Sequence, residues 1–261
     1  MDKRSSIFSI FEEAIDLFKT NYKLFLTISF LGAISTLLLS LSNQLLNTND
    51  IFNGVILVLL VVFSIYFSLR LQIALIIAIN NRYQKFETDF QECYKTSGSY
   101  FWSYVFTSIA FAFMIGFSVA FIFLSVSMEA TFMIIALCGL AFGGLALVLI
   151  YYFNFAPLVS VLNPEAPSNF RKSRELVKEQ PRLVLSMLGL ILMVQLLMYF
   201  TTDLLGSNSF IMALEVSMIL EFIIDLVVAP IFMIVYILVY YRLEATKVEQ
   251  ENVTDGASGA L

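Results

Sequence analysis

The chain contains no histidine, which removes the commonest general base, the commonest transition-metal ligand and every Ser-His or Cys-His nucleophile system. Cysteine is nearly absent as well. Cys93 and Cys138 share neither a paired spacing nor an expected compartment, which argues against a disulfide or a cysteine-based metal site. No glycine loop of phosphate-cradling pattern occurs, and no carboxylate cluster with metal-ligand spacing faces the expected cytoplasmic side. Catalytic residues, metal and cofactor are therefore expected to be none, and an enzyme is the least supported class. Charged residues make up only 13% of the chain, so the net charge of −5 is not spread over a polar surface and no nucleic-acid partner is expected. The first 21 residues carry Glu12, Glu13 and Asp16 and lack a small-residue cleavage site after a short apolar core, so they do not read as a secretory signal.

What is present is hydrocarbon. Hydrophobic residues reach 59% and the mean hydropathy is +0.87, beyond the apolar half usual for soluble domains. Runs long enough to cross a bilayer of about 30 Å lie near Tyr22 to Gln44, Ile51 to Ile79, Tyr100 to Val126, Thr131 to Leu162, Arg182 to Leu204 and Phe210 to Tyr241. Fourteen of the fifteen Lys and Arg residues lie outside these runs or, as Lys23 and Arg182, at their ends, and on one side only; the alternate connections hold none. Because basic loops stay in the cytoplasm, both termini are expected there. The localisation expected is the bacterial cytoplasmic (inner) membrane, multi-pass.

The expected fold is an all-α membrane protein of six transmembrane helices in three hairpins, each preceded by a cytoplasmic amphipathic helix in the interface. The first such helix places Ile7, Phe8, Ile10, Phe11, Ala14, Ile15, Leu17 and Phe18 at helical spacing opposite Glu12, Glu13, Asp16 and Lys19. A second is expected after Thr88, capped by its hydroxyl with Gln91 completing a capping box. A third is expected from Ser168, after Pro164 and Pro167. The lead-ins share a pattern of acid, apolar, apolar, lysine: Asp16-Leu17-Phe18-Lys19, Glu92-Cys93-Tyr94-Lys95 and Glu175-Leu176-Val177-Lys178. Gly98 and Pro181 then interrupt the helix before the span. A single domain over 1–243 is expected, with a possible three-fold repeat of 5–82, 83–163 and 164–243; alternatively the pattern is what any basic connector to a span would show. Residues 244–261 read as a disordered cytoplasmic tail.

The stretches Phe11-Glu12-Glu13-Ala14-Ile15-Asp16-Leu17-Phe18-Lys19-Thr20-Asn21-Tyr22-Lys23, Ser173-Arg174-Glu175-Leu176-Val177-Lys178 and Leu238-Val239-Tyr240-Tyr241-Arg242-Leu243 resemble those of a broad group of bacterial six-span proteins. That group includes the YciC-like inner-membrane proteins and the membrane domain attached to some glycerophosphodiester phosphodiesterases. The resemblance implies a fold and a location but brings no reaction, because the catalytic domain of the fused members has no counterpart in this chain.

Polar groups inside the spans carry the remaining signal, since a charge at membrane depth costs at least about 2.5 kcal/mol unless compensated. Arg70, with Gln72 beside it, lies in the second span, and Glu221 and Asp225, four apart, lie in the sixth. A reach of roughly 7 Å along the membrane normal would let Arg70 pair with Asp225, alone or with Glu221. Such a pair either docks two spans or serves a transport site; snorkelling of Arg70 to water is the third option. Pro157 and Pro230 are expected to kink the fourth and sixth spans. Ala136, Gly139, Gly143 and Gly144 form a small-residue row where a neighbouring helix would fit. Lys19, Lys23, Lys95, Arg171, Lys172, Lys178 and Arg182 are expected to meet lipid headgroups, making the bilayer, with anionic lipids, the expected partner, together with a possible membrane protein. Two functions follow: a non-catalytic envelope or lipid-organising component or partner subunit, or a small proton- or cation-linked transporter using Arg70, Glu221 and Asp225.

Overall fold

The computed structural model describes residues 7–45, 51–127, 132–206 and 222–258. All of the regular structure in these residues is helical: α1 (Ile7–Thr20), α2 (Tyr22–Leu45), α3 (Ile51–Tyr83), α4 (Phe90–Ser127), α5 (Phe132–Phe153), α6 (Ala156–Leu162), α7 (Asn169–Glu179), α8 (Pro181–Gly206), a π-helical turn at Ile224–Val228, and α9 (Ala229–Ser258). Helix fills the described part of the expected runs except at Asn154 and Phe155 in the fourth; Thr131 of the fourth and residues 210–221 of the sixth lie outside the described part. Four stretches are long and apolar enough to cross a membrane, Val58–Tyr83, Phe90–Ala120, Gly139–Leu162 and Ile224–Val248, and the bent pair α1–α2 would make a fifth.

The surface of these helices is as apolar as their sequence. On α4, Trp102, Phe106, Ile109, Phe113 and Phe117 are all more than half exposed and recur at helical spacing along one face. Val58, Leu59, Val62 and Phe63 do the same on the first half of α3. Water would not tolerate such stripes over these lengths, whereas hydrocarbon does. The helices are consistent with an integral membrane protein.

The described residues fall into two compact units: Met1–Phe101 with Gly189–Leu238, and Trp102–Leu188 with Val239–Leu261. In the first unit α2 packs along α3 and against the π turn. Its centre is the second half of α3, where Leu71 and every residue from Ile73 to Ile79 are buried. The α1–α2 corner turns the chain by 91° at Asn21. Asn21 closes α1 with its backbone N–H on Leu17 and Phe18, adds its side-chain amide to the Leu17 carbonyl at 3.1 Å, and offers its own carbonyl to Leu24 at 3.1 Å to start α2. Ile10 and Ala14 are buried while Glu12, Asp16 and Lys19 are exposed; Phe8, expected on the apolar face, is exposed too.

Helix α3 ends in a Schellman turn. Phe86 N–H reaches the Asn81 carbonyl at 2.8 Å and Lys85 N–H the Arg82 carbonyl at 3.1 Å, which places Lys85 in the left-handed region at φ 65°. Helix α4 then begins one residue later than expected. Asp89, not Thr88, is its cap: the Asp89 carboxylate accepts the Glu92 N–H at 2.8 Å, while the Thr88 hydroxyl lies 3.2 Å from the Glu92 carboxylate and 3.2 Å from Cys93 Sγ.

In the second unit α7 is tied to its surroundings at five points. The Asn169 amide donates to Thr107 Oγ1 of α4 (2.9 Å), the Ser173 hydroxyl to the Tyr152 carbonyl of α5 (2.8 Å), and the Gln180 amide to Thr246 Oγ1 of α9 (2.6 Å). Lys172 pairs with Glu244 at 3.1 Å and Lys247 with Glu175 at 2.8 Å. Ser168 caps α7 as expected, accepting from Arg171 N–H at 3.3 Å. Gln180 leaves the helical region at φ −136°, ψ 71°, because a residue before proline is pushed out of it, and Pro181 opens α8.

Several expectations are corrected here. The second lead-in is not a separate helix: α4 runs unbroken from Phe90 through Gly98 to Ser127. Glycine costs a helix about 1 kcal/mol, whereas proline removes a donor and collides with the preceding turn, so Pro181 breaks the chain and Gly98 does not. The three lead-ins therefore do not share one shape. The tail expected to be disordered from Glu244 continues as helix to Ser258, its first turn held by the contacts of Glu244, Thr246 and Lys247 to α7; residues 259–261 lie outside the described part. The fourth run is interrupted at Asn154 and Phe155, with Pro157 in the first turn of α6. The glycine row brings no helix close at the two positions that can be assessed, since a Cβ on Gly139 or Gly144 would meet nothing within 4 Å.

Candidate functional site

Arg70 and Gln72 are two residues apart on α3, so about 200° of helical rotation separates them. They serve different neighbourhoods. Arg70 turns to α4: its Nε donates to Ser97 Oγ at 2.8 Å, its Nη2 to the Tyr94 carbonyl, and its Nη1 to the Tyr66 hydroxyl at 3.0 Å. Its guanidinium carbon stands 4.5 Å from the Tyr94 ring centroid, and it lies over Gly98, where a Cβ would sit 3.4 Å from both Nη atoms, in ordinary contact. Ser97 is fully buried, and its hydroxyl donates a hydrogen bond to the Tyr94 carbonyl at 2.7 Å. The expected ion pair with Asp225 is accordingly not made among the described residues. Arg70 satisfies its donors with neutral oxygens and aromatic faces, an arrangement open to guanidinium because it is planar and forked. Glu221 lies outside the described residues.

Gln72 turns the other way, into a cavity of about 130 Å³ between α2, α3 and the π turn. Its polar lining is Ser29 and Thr36 of α2, Ser68 and Gln72 of α3, and Asp225. Helical spacing explains the convergence: Ser68 and Gln72 are four apart, Ser29 and Thr36 seven apart, so each pair shares a face. The Thr36 hydroxyl donates to the Gly32 carbonyl at 3.3 Å and lies beside the Asp225 carboxylate. Ser29 is only 7% exposed, and its hydroxyl has no hydrogen-bond partner. Among the described residues, no lysine or arginine lines the cavity.

The π turn follows from Pro230. Proline has no N–H, so the helix leading into it cannot close with ordinary i to i−4 bonds at that point. Ala229 N–H goes instead to Ile224, five residues back. Residue 230, the π-register donor for the Asp225 carbonyl, is a proline and has no N–H to give. A single proline thus widens the helix at Asp225, the type of local break common at functional positions in helices.

The other anticipated site residues divide by exposure. Lys19, Lys23, Lys95, Lys178 and Arg182 are exposed. Arg171 and Lys172 are engaged by acids, Arg171 with Glu175 at 3.0 Å and Lys172 with Glu244, so neither offers an undivided charge to a headgroup. Ser29, Thr36 and Ser68 escaped the sequence reading, because hydroxyl residues in a transmembrane helix are common and usually bond their own backbone. Among the described residues, no group of three or more Cys, Asp or Glu side chains has metal-binding geometry. Compared with known proteins, the chain matches no family model, no curated sequence and no solved structure.

Proposed function

We propose that this chain is a non-catalytic carrier of the bacterial cytoplasmic membrane, proton- or cation-linked, with Asp225 at its site and six spans with both termini cytoplasmic. The observation that carries the reading is the Asp225 cavity: a half-buried carboxylate without a lysine or arginine in its lining, beside a helix break and facing four neutral polar side chains. A carboxylate at membrane depth is costly, and a site that charges and discharges it against a mobile cation gives that cost a use. The volume is several times the roughly 10–15 Å³ one water needs, which suits a hydrated path. Arg70 is outside this site and acts as a clamp between α3 and α4.

The likeness to YciC-like proteins belongs to the same reading, as does the interfacial placement of α1 and α7. A second reading, a lipid-organising component, is favoured by the exposure of Lys19, Lys23, Lys95, Lys178 and Arg182, each worth up to about 1 kcal/mol against an anionic surface. The two differ at the cavity. Gln72→Cys, in a background with Cys93 and Cys138 replaced by serine, should react with a membrane-impermeant thiol reagent from at least one side. Flux of protons or alkali cations in proteoliposomes should be lost in Asp225→Asn. A Gln72→Cys side chain that stays unlabelled from both sides, with flux no higher than in protein-free vesicles, rules out the carrier.

A further inference from the structure

The cavity holds more oxygen than a proton can use. The geometry points to a binding site for a single alkali-metal cation, of sodium type, coordinated by the Asp225 carboxylate and its freed carbonyl together with Ser29 Oγ and other neutral oxygens from α2 and α3. This inference rests on the carrier reading of the same cavity and names the ion that would be carried.

Four observations converge on it. The charge fits: among the described residues the lining holds one carboxylate and otherwise neutral groups, which balance a single positive charge, and no cationic side chain there competes for it. The ligand type fits, since hard cations take oxygen, and every polar lining side chain, Asp225, Ser29, Thr36, Ser68 and Gln72, offers an oxygen. The Asp225 carbonyl is released by the π turn, with Ala229 N–H committed to Ile224 and no N–H on Pro230. Broken membrane helices present carbonyls to sodium in just this way. Finally, Ser29 Oγ lacks a partner while 7% exposed. Buried hydroxyls are nearly always bonded, so an orphan facing a carboxylate-bearing cavity marks a missing neighbour. A proton on Asp225 would satisfy the carboxyl through Thr36 and leave Ser29 as it is. A cation of about 2.4 Å oxygen distance engages both.

The test is cation-dependent stability of the purified full-length protein in detergent, with sodium, potassium or lithium chloride against choline chloride at equal ionic strength. A ligand that binds only the folded state raises Tm. We expect sodium to raise the wild-type Tm by about 2–4 °C over choline. Asp225→Asn should abolish the shift, and Ser29→Ala should move it to higher sodium concentration. Radiolabelled sodium binding to the wild-type protein, competed by unlabelled sodium and not by choline, checks the same point where Asp225→Asn fails to fold. An equal shift in Asp225→Asn overturns the site. A shift absent with every alkali cation, together with a pH-dependent Tm that Asp225→Asn removes, overturns the cation in favour of a proton and leaves the carrier standing. Sodium binding that requires Asp225, in a protein that moves no sodium across proteoliposomes, upholds the site and removes the carrier reading.

Discussion

Arg70 donates through Nε to the fully buried Ser97 hydroxyl at 2.8 Å, and this bond, not one to Asp225, accounts for an arginine inside a transmembrane run. The guanidinium joins α3 to α4 through Ser97, the Tyr94 carbonyl and the Tyr94 ring, and returns to α3 through Tyr66. Arg70→Gln removes the fork, its bond to Ser97 and its place over the Tyr94 ring, and should destabilise by about 2–3 kcal/mol. Arg70→Lys should recover less than half of that, because one ammonium cannot meet Ser97, Tyr94 and Tyr66 together. Since Asp225 shares none of these partners, Arg70→Gln and Asp225→Asn should be additive within about 0.5 kcal/mol in a double-mutant cycle. Coupling well above that would restore the direct pair.

Gly98 makes the same point from the other side. Its missing Cβ would lie 3.4 Å from both Nη atoms, an ordinary contact distance, and its φ is not positive. Gly98→Ala should therefore be neutral or stabilising by up to about 1 kcal/mol through helix propensity. Gly98→Leu should displace the guanidinium and lower Tm, and this loss should vanish in an Arg70→Gln background.

How much of this was legible in the residues depends on what kind of force is involved. Hydrocarbon length is written in runs of some 20 apolar residues, so the helices stand where the runs do. Proline acts locally, and Pro157, Pro181 and Pro230 each mark a break or register change. The partners of Arg70 are harder to read, because they depend on rotation about the helix as well as on depth along the membrane normal. Two positions of helical phase already set Arg70 and Gln72 on opposite sides of α3. The role of Ser29 was not readable at all: whether a hydroxyl bonds its own backbone or stays unpaired is decided by the packing around it. The helical tail was missed for a similar reason. Its polar composition suggested disorder, but Glu244 and Lys247 find charged partners on α7 that no local pattern reveals.

Lys85 occupies the left-handed position of the turn that ends α3, at φ 65°, where side chains other than glycine and asparagine are strained. Lys85→Gly should stabilise by about 0.5–1 kcal/mol, measured as a rise in Tm, with no change in cation response. Lys85→Val should do the opposite, since a branched Cβ is least tolerated there.

The cap of α4 offers a test of register. Asp89→Ala removes the acceptor for Glu92 N–H and should cost about 1 kcal/mol, whereas Asp89→Ser should retain most of the stability. Were Thr88 the cap, Thr88→Ala would carry the larger loss through the same mechanism. Thermal unfolding of the two alanine variants side by side ranks them.

Glu175 gives the one pH dependence that the surface contacts predict. Hydrogen bonds from Lys247 and then Arg171 hold its carboxyl below the ordinary value of 4.5. A carboxylate with a depressed folded-state pKa contributes stability that is complete above the unfolded value and disappears as pH falls through the folded one. The α7–α9 link should thus be intact at neutral pH and weaken only below pH 4.5. Glu175→Gln should lower Tm slightly at neutral pH, by less than the buried changes above, because the pair is 38% exposed on the carboxylate side and solvent screens it. The difference between wild type and Glu175→Gln should shrink towards zero as the buffer is taken below the folded-state pKa, and added salt at neutral pH should shrink it as well. A difference that stays constant across that range would mean that Glu175 acts through packing and not through its charge.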